Sequence, residues 1–147
     1  MMETHVCHAP EDTFRLGESV GRSLRPGDVI LLKGGLGAGK TLLAKGILKS
    51  LEFDIDEVTS PSFTLVNLYR TPRFEVYHID LWRLDDRSDV SAAIGLDEIL
   101  VGDNLVVIIE WSEKLHRFSH DGRIIRVAIE GDGDDPRKIE IRAEPSE

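Results

Sequence analysis

The feature that most constrains this chain is a glycine-rich stretch, Gly34-Gly35-Leu36-Gly37-Ala38-Gly39-Lys40-Thr41, set between two apolar segments of different period. Before it, Val29-Ile30-Leu31-Leu32 is uniformly apolar and rich in β-branched residues, as expected for a strand buried on both faces. After it, Leu43, Ala44, Ile47, Leu48 and Leu51 recur on one helical stripe of residues 40–51. Gly34, Gly39, Lys40 and Thr41 satisfy G-x-x-x-x-G-K-[ST]. A loop of this kind wraps backbone N–H groups around phosphate oxygens, so side chains must be missing where the backbone approaches. The helix that follows turns its unpaired N–H groups and positive dipole end to the same anion. Gly35, Leu36, Gly37, Ala38, Gly39, Lys40, Thr41 and Leu42 are therefore candidate nucleotide contacts, with Lys40 reaching the β- and γ-phosphates and the Thr41 hydroxyl ligating Mg²⁺.

The chain has 147 residues, which suits a single domain over residues 1–147. Its 18 Lys and Arg against 27 Asp and Glu give a net charge of −9, which argues against a nucleic-acid or anionic-membrane surface. Cys7 is the only cysteine, which excludes an internal disulfide and a Cys-based zinc cluster and fits a reducing compartment. Met1-Met2-Glu3-Thr4-His5 lacks the basic and apolar regions of a secretory signal, and no apolar run approaches a membrane span. The expected location is cytoplasmic.

The charge is uneven. No acid lies between Asp28 and Glu52, where Lys33, Lys40, Lys45 and Lys49 stand, and none between Glu57 and Glu75, where Arg70 and Arg73 stand. The tail from Glu130 to Glu147 is strongly acidic. One reading is a lysine-bearing surface helix. The sharper expectation is that the two acid-free segments converge on a polyanionic ligand.

Along the chain, Pro10 and two acids open a helix over 10–24 with Leu16, Val20 and Leu24 on one face, ended by the turn Arg25-Pro26-Gly27. The expected order is helix, buried strand, glycine loop, helix. Phe63–Tyr69 and Phe74–Asp80 flank Arg70-Thr71-Pro72-Arg73 as a hairpin. Residues 85–101 suggest short helices broken by Gly95, and Leu105–Ile109 a second all-apolar strand. Ile124–Glu130 and Lys138–Arg142 alternate around Gly131-Asp132-Gly133-Asp134 and read as a terminal hairpin at an exposed edge. The fold class is α/β: a three-layer P-loop fold, a mostly parallel sheet flanked by helices with antiparallel edge hairpins.

A phosphate loop works with a carboxylate at the end of an apolar strand, which holds the metal or orients a water. Glu110, after Leu105–Ile109, and Asp80, after Val76–Ile79, both qualify as catalytic and metal-binding candidates beside Lys40 and Thr41. Which of the two orients water stays open. His78 shares the strand face of Asp80 and is either a structural histidine or a functional one. Trp111 follows Glu110 and reads either as an ordinary core tryptophan or as packing near the nucleotide base or ribose. Ser60, Ser62 and Thr64 lie in a hydroxyl-rich, acid-free segment that reads either as a turn before a strand or as a switch loop placed to sense a γ-phosphate.

Taken in order, GGLGAGKT, Ser60-Pro61-Ser62-Phe63-Thr64-Leu65-Val66, Tyr77-His78-Ile79-Asp80-Leu81-Trp82-Arg83-Leu84 and Ile109-Glu110-Trp111 resemble the TsaE (YjeE) family. These are small bacterial P-loop ATPases of tRNA threonylcarbamoyladenosine synthesis. The resemblance runs to about Trp111. It implies ATP and Mg²⁺ as ligands, the TsaD and TsaB proteins as partners, and hydrolysis supporting repeated rounds of tRNA modification. It also implies Thr41 as a metal ligand, Asp80 and Glu110 as the acids of hydrolysis, and Ser60 to Thr64 as a switch, with Trp111 near the nucleotide. Because the chain is acidic, tRNA would be reached only through the partner complex. Gly35 stands where the family usually has Asp, Ser62 where Thr is common, and Trp82 where Tyr is usual.

Two other functions fit a phosphate loop. A small metabolite kinase needs a second pocket and an arginine-bearing lid, and the segment from Asp85 to Gly102 offers only Arg87. A nucleotide-gated assembly factor with incidental hydrolysis overlaps the ATPase reading. A GTPase would need an N-K-x-D for guanine, which the sequence lacks.

Overall fold

The computed structural model describes residues 2–35, 37–58, 65–84, 95–115, 118 and 120–144. Leu36, Ser60, Ser62, Thr64 and the helical reading of 85–94 lie outside the described residues. Among the described residues, β1 (Met2–Cys7), β2 (Val29–Gly34), β3 (Val66–Arg70), β4 (Glu75–Asp80), β5 (Leu105–Glu110), β6 (Ile124–Glu130) and β7 (Arg137–Glu144) form one sheet in the order β1-β7-β6-β2-β5-β4-β3. The four central strands, β6-β2-β5-β4, run parallel. β7 and β1 extend the sheet antiparallel on one side and β3 on the other.

The apolar runs sit where two covered faces require them. On β2 and β5, Ile30, Leu32, Val106 and Ile108 pack with residues of α1 (Pro10–Arg22) and α2 (Lys40–Ser50). Val29, Leu31, Val107 and Ile109 point the other way, into a core shared with Leu81 and with Leu96 of the short helix α3 (Leu96–Leu100). Each large aliphatic side chain fully buried here contributes about 1.5–3 kcal/mol. Leu43, Ile47, Leu48 and Leu51 are wholly buried, which accounts for the stripe read from the sequence. Helix α1 lies against α2 at glycines: a Cβ on Gly17 would land on the Leu43 carbonyl oxygen, and one on Gly46 on that of Phe14. Backbone meets backbone there, so alanine at either position would push the helices apart.

Two expectations need correction. Reading the chain as opening with a helix misses β1, whose METHVC sequence is mostly exposed and lacks a continuous apolar run because the strand lies at the sheet edge. The C-terminal hairpin exists, but it is not at an exposed edge. β6 pairs parallel with β2 over Val29–Gly34, and β7 is covered by β1. Alternation identifies a strand without identifying its neighbours. A bidentate contact fixes this arrangement, with Arg123 Nε and Nη2 donating to Asp28 Oδ1 and Oδ2 at 3.1 and 2.6 Å. It ties the turn before β2 to the start of β6. The β3–β4 hairpin holds as expected, and Gly95, at φ 68°, marks the start of α3.

Candidate functional site

The loop leaves the C-terminal end of β2, beside the ends of β4 and β5. Gly37 and Gly39 take φ values of +77° and +114°, in the left-handed region that disfavours side chains. Gly39 caps α2 without a side-chain hydrogen bond, and the first turn of that helix carries no acid. The first N–H groups of a helix have no intrahelical partner, so this end presents donors and a positive dipole to the loop.

Lys40 is buried, and its Nζ donates to the carbonyl oxygens of Gly34 and Gly35 at 2.8 and 2.7 Å. The ammonium lies 4.1 Å from the centre of the Trp111 ring. Burial pulls its pKa below the ordinary lysine value, while Glu110, Glu113 and Asp80 pull the other way. Trp111 itself has φ 59°, unusual for so bulky a residue, and packs against the exposed Trp82 with ring centroids 4.6 Å apart.

Side-chain alternation brings the acids to the loop. His78, Asp80 and Glu110 share the sheet face that carries Val76 and Ile108, the face α2 covers. Asp80 and Glu110 are register neighbours at the ends of parallel strands, and both are buried. Thr41 Oγ1 donates to Glu110 Oε1 at 3.1 Å and lies 3.3 Å from Oε2. His78 Nε2 is 2.5 Å from Glu110 Oε2. A carboxylate oxygen accepts, so the ring nitrogen is the donor. Asp80 Oδ1 accepts from the Trp82 backbone N–H at 2.9 Å.

Lys40, Thr41, Glu110, Asp80 and Trp111 thus gather at one end of the sheet, as expected. The wider cationic convergence does not form. Arg70 pairs with Glu75 at 3.3 Å, and Arg73 donates to the Leu24 carbonyl, both at the far end of β4 from Asp80. Lys33 points to the opposite face of the sheet, into a groove it lines with Arg126 and Arg142. Acid-free sequence is not acid-free space, because adjacent strand residues face opposite sides.

Sequence reasoning missed Arg137. Its Nε donates to the Ala38 carbonyl at 3.0 Å and its Nη2 to that of Gly37 at 3.3 Å, with further bonds to Gly133 and Asp135. The residue lies in the acidic tail, 99 positions from Ala38, and no local pattern signals such a contact. It joins the loop to the β6–β7 turn. Beside it, a groove of about 310 Å³ runs along the loop between Cys7–Thr13 and Gly133–Arg137.

The donor set suits a hard cation. A threonine hydroxyl and a carboxylate lie within hydrogen-bond distance of each other, and Mg²⁺ is typically held by one or two carboxylates with substrate phosphates. No cluster of three His, Cys, Asp or Glu placed to hold a metal occurs among the described residues. The same residues do not resemble a zinc or calcium cage. No helix among them is long and apolar enough to cross a membrane.

Comparison with known proteins agrees with this arrangement. The family described as threonylcarbamoyl adenosine biosynthesis protein TsaE matches residues 7–139. The tRNA threonylcarbamoyladenosine biosynthesis protein TsaE of Bacillus subtilis is 34% identical over 134 residues, covering 91% of this chain and 81% of that protein. The protein of the same description from Rickettsia conorii is 37% identical over 109 residues, covering 74% of this chain and 61% of the relative's length. The crystal structure of Bacillus subtilis YdiB superposes with a TM-score of 0.73 at 29% identity, covering 96% of this chain and 84% of that one. With the phosphate loop, the strand-end acids and the sheet all in the expected order, the chain belongs to the TsaE family.

Proposed function

We propose that this chain binds and hydrolyses ATP with Mg²⁺ as a subunit of the machinery that places N6-threonylcarbamoyl on tRNA adenosine 37, supporting turnover of a TsaD–TsaB complex. The observation that carries the reading is the hydrogen bond between Thr41, at the head of α2, and Glu110, at the end of β5. It joins the two residue types that hold Mg²⁺ in phosphate-loop proteins. Mg²⁺ bound with ATP supplies charge neutralisation at the β- and γ-phosphates.

The loop amides and the head of α2 hold the phosphates, and Lys40 exchanges its two carbonyl acceptors for phosphate oxygens. Thr41 and Glu110 bind the metal. Asp80, one strand over and fixed by the Trp82 N–H, orients the attacking water. Trp111, over the Lys40 ammonium, belongs to the phosphate end of the site. The base and ribose take the groove between Cys7–Thr13 and Gly133–Arg137, whose 310 Å³ is within the usual range for a small ligand. Ser60, Ser62 and Thr64 form the γ-phosphate switch that couples hydrolysis to the partners. At −9, the chain reaches tRNA through those partners.

Hydrolysis measured with and without TsaD–TsaB tests this. The expected result is release of inorganic phosphate, stimulated by the complex and lost in Glu110→Gln. Transfer of phosphate to a metabolite would establish the kinase reading instead. Full support of tRNA modification by a Glu110→Gln protein that no longer hydrolyses ATP would establish pure nucleotide gating.

A further inference from the structure

The side chain of His78 is fully buried, yet a single hydrogen bond accounts for all its polar contact with the described residues. Nε2 donates to Glu110 Oε2, and Nδ1 is buried with no partner among those residues. A buried polar atom without a partner is destabilising, and an apolar side chain would fill this place at lower cost. The imidazole is therefore poorly explained as packing. The Tyr69 ring lies beside the imidazole, 6.1 Å away and tilted by 44°.

The geometry at Glu110 gives the histidine a use. Thr41 approaches both carboxylate oxygens from α2, at 3.1 and 3.3 Å, and by itself leaves the carboxyl plane free to rotate between them. The bond from β4 selects Oε2 and stops that rotation, so Oε1 stays directed at the Thr41 hydroxyl. Groups that orient a ligating side chain typically change metal affinity or activity by 10–100-fold when removed.

We propose that His78 is a positioning residue that fixes the Glu110 carboxylate in its metal-binding orientation through the Nε2 hydrogen bond, an inference that rests on the Mg²⁺–ATP reading above. It acts on the metal through Glu110. Substitution should weaken metal binding and spare the nucleotide contacts made by the loop.

The test uses the full chain and three variants: His78→Ala, His78→Asn and His78→Gln. Glutamine can place an amide donor near the position of Nε2, whereas asparagine is too short to reach Glu110. Affinity for a non-hydrolysable ATP analogue is measured in EDTA, and Mn²⁺ affinity of the protein–analogue complex by electron paramagnetic resonance. Circular dichroism on each sample checks the fold. The expected result is unchanged analogue binding in EDTA throughout. Mn²⁺ affinity should fall on the order of 10–100-fold in the Ala and Asn proteins and stay within about threefold of wild type in Gln. Wild-type Mn²⁺ affinity in all three, or an equal loss in Gln and Ala, would overturn the positioning role. A wild-type protein that binds the analogue but gains no Mn²⁺ affinity from it would overturn the metal reading of Thr41 and Glu110 instead.

Discussion

The two stacked helices end in opposite ways at their N-termini. Helix α1 begins with Pro10 and carries Glu11 and Asp12 in its first turn. Asp12 Oδ2 accepts from the backbone N–H groups of His8 and Ala9 at 3.1 and 3.2 Å. That end uses a side chain of its own first turn to hold the two backbone donors leading into it, and sets two acids against its dipole. Helix α2 has a left-handed glycine for a cap, no capping side chain and no acid, and its first residue is a lysine. Lys40 at a positive dipole end is unfavourable locally. The same fold thus sets acids against one helix terminus and leaves the other with a glycine cap and no acid, which is the arrangement the proposed nucleotide site requires.

The sharpest way to break this comparison is Lys40→Ala. Two charge-assisted hydrogen bonds at about 1.5–3 kcal/mol each should be lost from the phosphates, so calorimetry is expected to show nucleotide affinity down ~100-fold or more. Near wild-type affinity would remove α2 from the site.

A smaller effect comes from giving α2 the acid that α1 has. Asp12 is the third residue of its helix, and Leu42 is the corresponding residue of α2. Leu42→Asp places a carboxylate where phosphate oxygens would lie. A like-charge interaction of ~1 kcal/mol or more is expected to weaken nucleotide binding by about 5–10-fold, more at low salt than at high. Leu42→Asn, of the same size and uncharged, should lose much less. Equal losses in the two would point to lost packing rather than charge.

Much of this contrast was legible in the sequence, for a local reason. Pro10-Glu11-Asp12 and Gly39-Lys40-Thr41 are contiguous, and helix-terminus chemistry is decided within one turn. The buried strands β2 and β5 were legible because both of their faces are covered over residues 29–32 and 105–109, and every residue of those runs must be apolar. What failed depended on neighbours. METHVC carries no pattern that says it pairs with β7, and β6 and β7 read the same whether β1 covers them or not. Arg70 and Arg73 lie close to Asp80 in sequence, but the direction of β4 puts the length of the strand between them and the site. Arg137 reaches the loop from the far end of the chain. His78 was the intermediate case: alternation placed it on the face of Asp80, but only the pairing of β4 with β5 gave it Glu110 as a partner.

The smallest expected effect separates the two termini most cleanly. Asp12→Ala removes two hydrogen bonds from backbone donors and one charge from the dipole of α1. An acid in the first helical turn contributes about 0.3–1 kcal/mol, so urea unfolding should show a lower midpoint with an unchanged slope. Dipole effects fall off within a turn, and the two heads touch through Thr13, whose Cγ2 would lie 3.6 Å from a Cβ at Gly39. The backbone contacts of Gly17 with the Leu43 carbonyl and of Gly46 with that of Phe14 hold the helices together independently of the cap, so loosening the first turn of α1 is expected to leave the head of α2 in place. Pyrophosphate, which engages the loop without a base or ribose, is expected to bind the variant within about twofold of wild type, since the missing charge acts only within its own turn. A larger change would mean that the two helix ends are coupled through their glycine contact, and that the phosphate site depends on how well α1 is capped.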